Sequence, residues 1–241
     1  MMIALRKRIS LVGREESGFG LAEFVVAIGL FSILATLIII TFSNFTRTLT
    51  RDRAATTNTN LASVAMDELT RVIRAATSIP VYNSATDLPA FSYANKEKII
   101  LYAFIDTGSG TPTPIKVQFE VVASRDLVET RWNAHPVPGH ATYWEFDTTA
   151  SSTRVIARQI VTPGTGEAYM FNYQSIGTDL LPVDMVIPTG TGGIVAANLP
   201  KIAVVEVTVK VQSDTTGRAS PVTMTNQVGI PNLGVSRLAL S

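Results

Sequence analysis

Cysteine is absent from this chain. That excludes disulfides, thiolate-bound zinc and thiol chemistry together, and any folded domain must be held by its core alone. Histidine is scarce, with only His135 and His140. Proline is missing from everything between Phe19 and Ile79, and Gly20 and Gly29 are the only glycines there. Nothing in that range forces a helix to break. Charge is missing from one long stretch: Phe24 to Phe42 is nineteen residues, FVVAIGLFSILATLIIITF, without an ionisable side chain. The chain as a whole holds 20 basic and 19 acidic residues. That balance carries no footprint of a nucleic-acid-binding surface.

What is present follows from that uncharged stretch. At ~1.5 Å per residue a helix over Phe24 to Phe42 is ~28 Å long, about the thickness of the bilayer hydrocarbon. Its only polar side chains are Ser32, Thr36 and Thr41. Each hydroxyl can bond back to the carbonyl one turn earlier, which makes it tolerable in lipid. The reading is a single transmembrane helix over residues 22–43.

The eighteen residues before Phe19 carry Arg6, Lys7, Arg8 and Arg14 and end Glu15-Glu16-Ser17-Gly18. In a secretory signal the small residues of the cleavage site follow the apolar core. Here they precede it. A cut after Gly18 would remove a basic leader and keep the hydrophobic helix at the new N-terminus. The basic leader is expected on the cytoplasmic side, with the C-terminal part outside. Removing four of the 20 basic and two of the 19 acidic residues leaves 16 and 17, near neutrality. The remaining chain is long enough for one anchor helix and one domain with a core.

Glu23 is the outlier, an acid at the edge of a lipid-facing helix, where ionisable groups usually have partners. A cut after Gly18 would make one, the α-amino group of Phe19. Residues 19 and 23 share a helix face. With subunits packed side by side and staggered by one step, the carboxylate of one meets the ammonium of the next. The plainer alternative is an interfacial Glu in headgroup water.

Gly18, Phe19, Leu21 and Glu23, followed by the uncharged helix, resemble the prepilin signature of type IV pilins and type II secretion pseudopilins. The resemblance implies that a membrane prepilin peptidase cuts between Gly18 and Phe19, that Phe19 is then N-methylated, and that Glu23 guides subunit assembly. It implies as partners other pilin or pseudopilin subunits, the cytoplasmic membrane and an inner-membrane assembly platform, and as location first that membrane, then a surface or periplasmic filament. No cofactor, metal or catalytic residue is expected. Gly20 stands where that family often has Thr. Many of its members close a C-terminal disulfide, which this chain cannot. Its major subunits often place a helix-breaking Pro in the membrane half; Gly29 to Thr41 has none, which fits a minor subunit.

Beyond the membrane the helix turns amphipathic. Leu61, Ala65, Leu69, Val72 and Ala76 recur at three- and four-residue spacings, with Val64, Ile73 and Ile79 beside them,. Asp67 and Arg71 are spaced to pair, and Pro80 is a natural stop. The Thr- and Asn-rich stretch from Thr50 to Asn60 is the softest part. It reads either as a hinge or as a solvated helix face without packing.

From Ala90 the period becomes two. Strands are expected at Lys98–Ile105, Ile115–Val121, Leu127–Trp132, Arg154–Val161, Tyr169–Tyr173 and Ile202–Val211, with a return over Pro221–Ile230. Thr107 to Pro114 is a turn, residues 133–152 a long surface excursion, and Pro231 to Ser241 an irregular tail. The expected class is α+β: a leader at 1–18, a long helix at 19–80 and an antiparallel β head at 81–241. LTRVIRAA, IKVQFEVV with DLVETRW, and VVEVTVKVQ are similar to J- or W-type minor pilins.

Other chemistry finds little footing. His135 and His140 with Glu145 and Asp147 could be imagined as a metal site, but a loop of that spacing has no fixed geometry. Asp179 and Asp184 could bind calcium, at an acidic density far below an EF-hand. Gly190 to Gly193 lacks the Lys-Ser/Thr of a phosphate loop. Trp132, Tyr143, Trp144 and Phe146 are either an exposed contact patch or cross-strand packing. An exposed aromatic or basic cluster in 133–152 would favour a tip adhesin or DNA-capture subunit. An intact Met1 would favour a bitopic membrane protein with a β domain and no filament.

Overall fold

The computed structural model describes residues 20–105, 113–177, 181–188, 192–213 and 219–231. Gly18, Phe19 and Asp179 lie outside these, as do the leader and most of the expected turn after Ile105. The chain falls into two units divided between Thr50 and Arg51, and each is described by itself.

A single helix, α1, runs Leu21–Arg74. Its first part, through Thr50, belongs to the first unit. There the hydroxyls bond inward as their spacing predicts: Ser32 Oγ donates to the Ile28 carbonyl at 2.8 Å, Thr36 to Ser32 at 2.7 Å and Thr41 to Leu37 at 2.8 Å. The Thr- and Asn-rich stretch stays helical throughout. Thr56 and Thr59 also bond back one turn, at 2.9 Å each, so these hydroxyls cap the helix's own carbonyls instead of opening it,.

From Arg51 onward α1 belongs to the second unit. Its stripe of Ala62, Ala65, Met66, Leu69, Val72 and Ile73 is buried. Val64, placed beside that stripe by spacing, is instead 60% exposed. α1 ends at Arg74, ahead of Pro80, because the backbone is taken over by a sheet. Ala76 bridges Ala103, and the Thr77 N–H donates to the Tyr102 carbonyl at 2.9 Å.

Two antiparallel sheets follow. The first has six strands, β1 (Phe91–Ala94), β2 (Lys98–Phe104), β3 (Pro114–Val121), β4 (Leu127–Val137), β5 (His140–Phe146) and β6 (Ser152–Ala157). β1 to β4 lie side by side in order. β6 pairs with the first half of β4 and β5 with the second. The second sheet has the order β10-β9-β7-β8, with β7 Phe171–Ile176, β8 Pro182–Asp184, β9 Val204–Val211 and β10 Val222–Gly229. A 3-10 turn over Ala196–Lys201 precedes β9. The architecture is α+β, a long N-terminal helix whose second half packs on antiparallel strands.

The period-two pattern does the work expected of it. In β3, Ile115, Val117, Phe119 and Val121 are buried while Lys116, Gln118 and Glu120 are only half-buried. In β9, Val205, Val207, Val209 and Val211 are fully buried. Thr208, expected outside, is also buried; its N–H donates to Met170 and its hydroxyl meets that of Thr225. Residues 133–152 correct the sequence reading. They stay at the surface, but through Phe146 they form the end of β4, a turn and β5 rather than one long excursion. Pro136 sits at a register shift and pairs with Trp144 on an otherwise regular ladder. Gly139 (φ 79) takes the left-handed conformation that closes the hairpin,.

Candidate functional site

The first unit is the candidate site. Every large apolar side chain from Leu21 to Leu49 is exposed, from 41% at Leu49 to 85% at Leu21. Monomeric soluble proteins rarely leave a contiguous apolar patch above a few hundred Å², and this one covers all sides of a helix. With its backbone bonded internally, the segment satisfies what hydrocarbon demands. It is one helix, near the N-terminus, long and apolar enough to span a membrane.

Glu23 lies in the first turn of α1 and is exposed. The Phe24 N–H already closes that turn on the Gly20 carbonyl at 3.1 Å. A first turn is where a helix start leaves N–H groups unpaired and where negative charge is favoured. The Phe19 amine expected to meet it lies outside the described residues.

The remaining candidates separate. His135 contacts Asp147 through Nδ1 at 3.3 Å and Glu145 through Nε2 at 3.5 Å. His140 goes elsewhere, stacked on Tyr82 with ring centroids 3.9 Å apart. Among the described residues no three His, Asp or Glu side chains are arranged to hold one metal ion. Asp184 accepts from Gln174 Nε2 at 2.8 Å across the β7–β8 pair. The four aromatic side chains are half-buried, and three of them have partners within the head. Lys116 Nζ lies 4.9 Å from the Trp132 ring, Phe146 packs on Tyr102 at 4.8 Å, and Tyr143 meets Tyr82 edge-on at 5.6 Å. Residues 133–152 hold no Lys or Arg.

Two features escaped the sequence reading. Asn58, in the stretch read as a hinge or a solvated face, is fully buried. Its Oδ1 accepts the Ser213 N–H at 2.7 Å and its Nδ2 donates to the Ser220 carbonyl at 3.4 Å. The other is an ion cluster on α1, β4 and β6. Arg71, Arg131 and Arg154 all reach Glu68 Oε1, at 2.6, 2.9 and 2.6 Å. Glu129, only 1% exposed, accepts from Arg131 at 2.7 Å and from Arg154. Asp67, expected to pair with Arg71, is bypassed in favour of Glu68 one residue on. Burial works to raise the Glu68 pKa, but Arg71, then Arg154 and Arg131, outweigh it and hold the carboxyl below its ordinary value,. The Arg154 guanidinium is shifted up, chiefly by its bond to Glu129. The cluster is a clamp between helix and sheet. No sequence signal marks it, because its members come from three distant segments.

No family model matches this chain, and no curated protein does.

Proposed function

We propose that this chain is a minor pilin or pseudopilin, a structural subunit that enters a type IV pilus or type II secretion-like filament after its leader is cut away. The observation that carries the proposal is the uncovered apolar half of α1, with Glu23 in its first turn directly after Gly18-Phe19. Such a helix needs lipid or other helices around it. A filament interior built of like helices would replace the lipid contacts side chain for side chain, so leaving the membrane would expose no apolar surface to water.

In this proposal the leader is residues 1–18, the stalk 19–80 and the head 81–241. The protein waits as a single-pass protein of the cytoplasmic membrane with its head outside. Prepilin peptidase cuts between Gly18 and Phe19, Phe19 is N-methylated, and Glu23 is neutralised by the Phe19 ammonium of a neighbouring subunit on the assembly platform. The subunit has no catalytic centre of its own.

Mass spectrometry of the native N-terminus tests this directly. The expected result is a chain beginning at methylated Phe19. Gly18→Ala is expected to leave the full-length chain uncut, and Glu23→Ala to give cut chains that enter filaments poorly. A mature size unchanged by Gly18→Ala overturns the processing step. A native chain beginning at Met1 or beyond Phe42 overturns the whole proposal.

A further inference from the structure

An exposed strand edge is a row of free N–H and C=O groups, and folded proteins blunt such rows by shortening, charge, proline or bulges. Four of the outer strands here are blunted. β1 has four residues and a register shift, and its Ala94 carbonyl is taken by the Ile194 N–H at 2.7 Å. β5 meets a register shift beside Pro136. β6 carries Arg154 and a register shift. β8 is three residues long and begins with Pro182.

β10 has none of these devices. It runs eight residues, VTMTNQVG, in unbroken register with β9, without a charge or a proline. Among the described residues β9 is the only strand it pairs with. The phase of the ladder says which groups are free. Ile230 N–H donates to the Ala203 carbonyl, and in that register Val222, Met224, Asn226 and Val228 also direct their backbone groups to β9,. Thr223, Thr225, Gln227 and Gly229 therefore aim theirs outward, and all four are exposed.

We propose that β10 is a docking edge for an extended strand of a different subunit, which adds to the second sheet beside it. The chemistry on offer selects that occupant. Alternating free donors and acceptors over eight residues match the backbone of a strand and little else. The absence of charge from Val222 to Ile230 means that an uncharged, Thr- or Val-rich strand fits, whereas a charged one would lie against β10 without an opposite charge,.

The lack of native cysteine makes the test clean. Thr223→Cys and Thr225→Cys are introduced singly into the full-length chain in its own membrane, labelled with a short thiol-anchored photoreactive group that inserts into any nearby C–H bond, irradiated, and the joined peptides sequenced. The expected result is one partner segment, with the two cysteines reaching residues of it spaced by two. Gln227→Pro removes an outward N–H and no bond to β9, so it should cut the yield at least tenfold while the thermal melt is kept. Should Gln227→Pro fail to fold, Gln227→Lys, which blunts the edge by charge alone, should do the same. Cross-links confined to this chain's own residues 232–241, or to β10 of a second copy, overturn the proposal. So does a yield insensitive to both variants. A native N-terminus at Met1 would end the filament proposal and leave this one standing.

Discussion

Up to Thr50, α1 presents Leu, Ile, Val and Phe on every side and covers none of them. From Arg51 it buries one stripe, and its polar residues find partners far along the chain, Asn58 on Ser213 and Ser220, Thr70 on Asn226. The two parts share a backbone conformation and differ in what satisfies their side chains. Local bonds suffice in the first, where the hydroxyls of Ser32, Thr36 and Thr41 each use a carbonyl four residues back. The second depends on the fold around it. Substitutions in the second part should therefore be read out by stability of the head, and those in the first by membrane or filament behaviour.

The largest contrast is between two acids. Glu129→Ala strips the buried acceptor from Arg131 and Arg154. Removing one partner of a fully buried ion pair costs about 3–5 kcal/mol; Arg131 and Arg154 are partly exposed and keep Glu68, so the cost is expected toward or below the lower end of that range,. Glu23→Ala removes an exposed acid and should leave head stability unchanged. Urea unfolding of the full chain in detergent, followed by Trp132 and Trp144 fluorescence, checks both. A Glu129→Ala midpoint equal to wild type would show that the clamp is ornamental.

Two leucines sharpen the same contrast. Leu69 is fully buried and Leu34 is 55% exposed. Leu69→Ala should cost about 2–5 kcal/mol in the same assay, transfer and cavity together, and Leu34→Ala within about 0.5 kcal/mol.

The parts of the molecule that were legible in the sequence are those whose causes are local. The uncharged run from Phe24 to Phe42, the back-bonding hydroxyls, and the alternation in Ile115–Val121 and Val205–Val211 each need only neighbouring residues to be understood. The α+β class follows from them. Asn58 was illegible because its partners lie more than 150 residues away, and helix propensity at one position says nothing about them. Glu129 was hidden because it sits in a strand among Val128, Thr130 and Arg131, where a charge reads as solvent-facing; only Arg131 beside it and the arrival of Arg154 from β6 make its burial bearable. β5 was missed because Pro136, Pro138 and Gly139 are turn residues by type, while the ladder tolerates Pro136 at an irregularity,. Of the candidate site, Glu23 and the apolar helix were readable from composition alone.

Asn58→Ala comes next in size. It leaves the Ser213 N–H without its acceptor, for which about 1–3 kcal/mol is expected. Thr36→Ala, on the other side of Thr50, removes a hydroxyl whose carbonyl partner keeps its helix bond, and head stability should not move. Hydrogen exchange adds a spatial check: with Asn58→Ala, amides of Thr56 to Asn60 should exchange faster while those of Ile33 to Ile40 stay as they were.

The smallest effect is one of pH. The Glu68 carboxyl is held below its ordinary value of 4.5 in the folded chain, its burial being outweighed by Arg71, Arg154 and Arg131. A lowered folded pKa means that the unfolded chain binds the proton more readily. The contribution is therefore fully present above pH 4.5 and disappears as pH falls through the folded value. Arg71 and Arg154 are half exposed, and solvent screens their share. Thermal melts between pH 7 and pH 3 should fall at the acid end, and Glu68→Gln should flatten part of that fall while lowering the melt at pH 7. If the Gln variant keeps the wild-type acid slope, Glu68 is no part of the clamp, and Glu129 is the acid that adds to the β4–β6 ladder. The second half of α1 would then be held by its apolar stripe and by the Asn58 and Thr70 bonds.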